Sequence, residues 1–124
     1  MKRLIVAAIL LSIVSGVFLI GFMCIKNSCD EANRLLDMCV ESYRENNNAT
    51  ENVKKLDSYW QKKEKTLSVF ANHKSLDEIE SAIGSMLVYS NSKDAERFYE
   101  HSSEVKTFLH QLMEDTSPGI HSIL

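Results

Sequence analysis

His73, Glu78 and Glu80 are the side chains whose types could do acid–base or metal chemistry within a short span of this chain. An imidazole with two carboxylates can hold a divalent ion or pass a proton. Their spacing argues against that use. The zinc pattern HExxH sets two His one turn apart on a helix face, whereas the lone His73 here precedes the start signal of a helix. The expected role of His73 is to pack in a turn or to cap the C-terminus of the preceding helix, where the dipole favours a cation. His101 and His110 are nine residues apart, which does not bring them to one helix face. No GxSxG, P-loop or Gly-rich phosphate cradle occurs. Spacing nominates no catalytic, cofactor-binding or metal-ligating residue, and no cofactor is expected. An extracytoplasmic metal-binding protein or enzyme using His73, Glu78 and Glu80 stands as the alternative reading.

Other reactive or recognisable groups have plainer explanations. Trp60, the single Trp, falls on an apolar stripe and reads as a core anchor between helices. Lys54, Lys55, Lys62, Lys63 and Lys65 alternate with Asp57 and Glu64, the pattern of a solvated helix face. Cys29 and Cys39 lie ten apart on one helical run, a rise of about 15 Å. A disulfide needs Cα atoms within about 7 Å, so these two cannot pair with each other. They read as small apolar packing residues, and a bridge to a second copy is the other use open to a thiol outside the cytoplasm. Asn48-Ala49-Thr50 matches a glycosylation acceptor, a pattern that matters only in a eukaryotic source.

The elements that position these groups begin with a greasy one. From Leu4 to Ile25, 22 residues, nothing is charged, which fits the roughly 17–25 residues of a spanning helix. A cleaved signal peptide would have a shorter apolar run, about 7–15 residues, and a small-x-small site. Here Phe22, Met23 and Ile25 stand where small residues would be needed. Residues 1–27 therefore read as an uncleaved anchor that meets membrane lipid through residues 4–25. Lys2 and Arg3 precede the span, so the N-terminus is expected in the cytoplasm and the rest beyond the membrane. All 17 acidic residues follow the span. That acidity leaves no electrostatic footprint for nucleic acid or anionic headgroups.

Residues 28–116 read as an extracytoplasmic helical domain, with 117–124 as a tail around Pro118–Gly119. Four amphipathic runs follow the anchor. Cys29, Ala32, Leu36, Cys39 and Tyr43 step by 3, 4, 3, 4 and continue out of the membrane. No Pro or Gly separates them from the anchor, so both can share one long helix, with Asn27–Ser28 the place for a bend. Three consecutive Asn then predict a turn. Val53, Leu56, Trp60, Leu67 and Phe70 form the second stripe, with Thr50 or Asn48 as cap and a polar gap at Lys63. Ser75 to Glu78 matches a capping box for the third run, striped by Leu76, Ile79, Ile83, Met86 and Leu87. Ser92 is the candidate cap of the fourth, striped by Ala95, Phe98, Val105, Leu109 and Leu112 with Phe108 alongside. The fold class expected is all-α: a transmembrane helix and a small antiparallel bundle of about four helices.

The opening "MKRLIV", the anchor, Trp60 with "KKEKTLSVFANH" and "LDEIE", and "FLHQL" near the end together resemble a bacterial family. It is the domain of unknown function numbered four-three-six-three, of clostridia-like Gram-positive bacteria. The match runs through Trp60, Phe70, His73, Leu76, Asp77, Ile79 and Glu80. The resemblance implies a single anchor and an all-helical extracytoplasmic domain, and no activity. Trp60, Phe70, His73, Leu76, Asp77 and Glu80 are accordingly expected to form an interaction surface or a structural joint. The function expected is protein interaction or assembly, with another membrane protein as partner; a homo-oligomer is open but unsupported.

Overall fold

The computed structural model describes residues 1–116; the tail 117–124 lies outside the described residues. Four helices account for the fold: α1 (Lys2–Asn46), α2 (Thr50–Leu67), α3 (His73–Tyr89) and α4 (Ala95–Thr116). No strand occurs among the described residues. The anchor and the first run are one helix, unbroken from Lys2 to Asn46. Four helical runs plus an anchor thus become four helices in all.

Each helix packs on two others, α1 on α2 and α4, and α3 on α2 and α4. The helices stand at the corners of a square, with α1 and α3 on a diagonal. The stripes read from the sequence fill the centre. Cys29, Ala32, Leu36, Cys39 and Tyr43 of α1 meet Val53, Leu56, Trp60 and Leu67 of α2. Leu76, Ile79, Ile83 and Met86 of α3 and Phe98, Val105, Leu109 and Leu112 of α4 complete the core. Ile25 and Ala82 are further core residues. Ala95 is exposed at the first position of α4, so it drops out of the fourth stripe.

The helix ends show which polar side chains do the capping. α1 stops at Asn47, whose backbone is left-handed (φ 55) and whose N–H donates to Tyr43 O at 2.8 Å. Asn tolerates that conformation better than most residues, so the Asn run does mark the turn. α2 begins at Thr50 itself, with Asn48 Oδ1 accepting from the Thr50 N–H at 3.0 Å. α3 begins two residues before the capping box. Asn72 is its cap and accepts from the Lys74 N–H at 2.9 Å, leaving Ser75 inside the first turn. A short Asx turn competes well with a Ser hydroxyl for free backbone donors. At α4 the Arg97 N–H donates to Asp94 Oδ1 at 3.2 Å, and Ser92 Oγ accepts from Asp94 N instead.

One end of the bundle is tied by long-range contacts. The Ala49 N–H donates to Ser90 O at 2.8 Å, and Tyr43 Oη donates to Ser92 O at 2.8 Å. The Tyr43 ring stacks on Phe98 at 4.1 Å. At the other end, Phe70 in the α2–α3 turn packs on Gly21 of α1. A methyl group at Gly21 would collide with that ring, whose Cε1 and Cγ lie 2.9 Å from where the Cβ would stand.

The N-terminal half of α1 has no helical partner. It is long and apolar enough to cross a membrane, and only 6% of its most apolar stretch is buried. The core helix of a soluble protein would be mostly buried, so this segment's apolar surface faces outward.

Candidate functional site

The stretch from Tyr59 to Glu80 spans the end of α2, the turn and the first half of α3. Its apolar members point inward, apart from the exposed Val69. Trp60 and Leu76 are fully buried, and Phe70 is half-buried against the core. Its ionisable members point outward. His73 is exposed as the first residue of α3, Asp77 is exposed, and Glu78 and Glu80 are half-buried. His73 therefore opens a helix at its positive end, six residues past the end of α2, and caps no C-terminus.

The structure regroups the carboxylates. Glu80 lies with Glu64 and Asp77, each offering an oxygen within 4.8 Å of the others. His73 and Glu78 are not members of that group. Asp77 and Glu80 are i and i+3 on α3, so they share a face; Glu64 reaches it from the last turns of α2. Glu64 sits one residue after Lys63, in the polar gap of the α2 stripe, which is the only sequence signal for its position. Partial burial, then the charges and hydrogen bonds of Glu80 and Asp77, push the Glu64 carboxyl above its ordinary value of 4.5. Three carboxylates without a cation repel one another, and a proton shared on Glu64 relieves that repulsion. The all-oxygen set would suit a hard divalent ion and lacks the nitrogen and sulfur ligands of a zinc site.

The cysteines sit elsewhere. Cys29 and Cys39 are free, fully buried, and pushed by desolvation to a thiol pKa of about 12. Thiols held that high are poor nucleophiles. Thr50 of the Asn-Ala-Thr pattern shares a 2.9 Å hydrogen bond with the Ser90 hydroxyl.

Residues 19–123 match the domain of unknown function DUF4363. The chain belongs to this family. The match covers α2 to α4 whole and α1 from Leu19 onward, beginning inside its apolar half near the Gly21–Phe70 contact. No curated protein and no solved structure matches the chain at a significant level. For this DUF4363 chain the site geometry is therefore the ground for any functional reading.

Two features escaped sequence reasoning. Ile25 reads as membrane but is 1% exposed within the core. The Glu64–Asp77–Glu80 grouping needs α2 and α3 to be docked before it can be seen.

Proposed function

We propose that the chain is a single-pass membrane protein whose helical domain serves in protein interaction or assembly. Its N-terminus lies in the cytoplasm and the bundle beyond the membrane, at the cell-wall side of a clostridia-like Gram-positive cell. The observation that carries this reading is α1 itself. One half of the helix exposes its apolar side chains, and the other half buries a stripe in the bundle. A continuous helix of this kind holds the bundle at a fixed distance and direction from the bilayer, a geometry suited to presenting a surface to another membrane protein. Lys2 and Arg3 ahead of the apolar run, against Lys26 alone directly after it, support the orientation.

Crosslinking in intact membranes followed by affinity recovery of the full chain tests the proposal. A partner recovered in a defined ratio is the expected result. Recovery of the chain alone and monomeric would refute it.

The second reading, an extracytoplasmic metal-binding protein or enzyme, is favoured by one observation: Glu64, Asp77 and Glu80 converge. It gains nothing from His73 and Glu78, which stand outside that group. Titration with Mg2+ or Ca2+ separates the readings. A cation that raises the melting temperature of the native chain and not of Glu64→Gln would support metal binding.

A further inference from the structure

Val69 and Phe70 form the apolar tip of the α2–α3 turn, and their position along α1 is fixed by the Gly21–Phe70 contact. Gly21 lies within the uncharged run that ends at Ile25. Seventeen residues of helix separate Leu4 from Gly21, about 26 Å at 1.5 Å per residue. A hydrocarbon core is about 30 Å thick, so with Leu4 at one edge Gly21 lies just inside the other. Whatever packs on Gly21 lies at that depth too.

We infer that the α2–α3 turn is a second membrane contact, with Val69 and Phe70 inserted among the acyl chains of the leaflet next to the bundle. The inference rests on the anchored reading above. Val69 is 76% exposed, as Val88 is at 73%; what sets Val69 apart is that it adjoins the exposed apolar half of α1. Beside it a cavity of about 760 Å3 opens between α1 and the turn, lined mainly by apolar side chains of α1 such as Phe18 and Phe22 with Val69 and Phe70, and by the polar Ser15 and Asp115. The apolar wall of this cavity is continuous with the exposed apolar half of α1, so the lipid that surrounds one surrounds the other. Lys65 and Lys74, both exposed, flank the turn and can reach headgroup phosphates while the tip sits lower. Glu114 and Asp115, exposed at the end of α4, and the Glu64, Asp77 and Glu80 carboxylates beside the turn are opposing charges at this end. The acidity of the whole domain argues against approach by charge alone; this contact is apolar insertion by a turn already tethered at the right depth.

Depth-dependent quenching tests the inference on the full chain in phosphatidylcholine nanodiscs whose lipids carry a nitroxide on the acyl chain. Three single-site variants, Val69→Cys, Val88→Cys and Ile13→Cys, are labelled with a fluorophore in a Cys24→Ser background, in which Cys29 and Cys39 are buried. Val88 is 73% exposed on the last turn of α3, the end of the bundle tied to Ser90 and Ser92. It is the matched control. Quenching at Ile13 and Val69 with none at Val88 is the result expected. Quenching at Ile13 with Val69 as open to aqueous quencher as Val88 would overturn the turn contact and leave the anchor standing. A Val69 label shielded from water yet untouched by the lipid nitroxide would mean that protein covers it, a second copy or residues 117–124, and would also overturn the inference. No lipid quenching at Ile13 would remove the anchor and the turn contact together.

Discussion

The fold alters the chemistry of Glu64 by withdrawing part of its solvent and by giving it Glu80 and Asp77 as neighbours. A carboxyl whose pKa is raised in the folded state destabilises the fold once pH exceeds that raised value, because the folded chain then loses a proton it holds more tightly than the unfolded chain does. The cost fades as pH falls through the folded pKa and is absent below the unfolded value near 4.5. Glu64→Gln is therefore expected to raise the melting temperature at pH 7 and to leave it unchanged below about pH 4, which thermal scans across pH would show. Trp60 poses a different balance. Its ring is fully buried, but Nε1 has no hydrogen-bond partner among the described residues. Trp60→Ala should cost about 3–5 kcal/mol in chemical denaturation. Trp60→Phe should cost well under that, since removing an unpaired buried N–H returns about 1–3 kcal/mol against the lost volume.

At the scale of elements, much of the fold is legible because the core stripes follow helical period. Cys29 to Tyr43 and Leu76 to Met86 are buried as their spacing requires. Helix starts were less legible, because several side chains near each start can accept a backbone proton and the sequence does not rank them. Ser75 to Glu78 has the form of a capping box, yet Asn72 caps α3. Asn72→Ala should accordingly cost about 1 kcal/mol, and Ser75→Ala less than about 0.5; equal losses would contradict the observed start of α3. The candidate site was the least legible element. Residues from Trp60 to Glu80 stand together in sequence, but α3 turns Leu76 inward and Asp77 outward, and only docking brings Glu64 to Glu80. Glycine gives the matching test of packing between elements. Gly84 has open space around its would-be Cβ, so Gly84→Ala should stabilise by up to about 1 kcal/mol through helix propensity. The same change at Gly21 meets the Phe70 ring. Overpacking of about 1–3 kcal/mol outweighs the propensity gain there, so Gly21→Ala should lower stability. Opposite signs for one chemical change would come from a single contact between α1 and the α2–α3 turn.

For the whole molecule, the decisive feature is that α1 carries both the segment long and apolar enough to cross a membrane and one corner of the bundle. Hydropathy alone places a boundary after residue 27, because burial in lipid and burial in a protein core select the same residue types. The structure distinguishes them: Phe18 is 72% exposed, whereas Ile25 is 1% exposed among core side chains. A chain cut to begin at residue 28 would keep every stripe from Cys29 onward yet lose Ile25 and the seat of Phe70 on Gly21. A chain beginning at residue 20 would keep both. Fully burying a side chain the size of Ile contributes about 1.5–3 kcal/mol, and on a domain this small that is a large share of the net stability. The shorter fragment should therefore melt several degrees below the longer one, at about 4–8 °C per kcal/mol. Equal melting temperatures would show that the bundle closes without Ile25 and Gly21. The bilayer and the bundle would then be joined only by a linker, and the depth assigned to the α2–α3 turn would lose its basis.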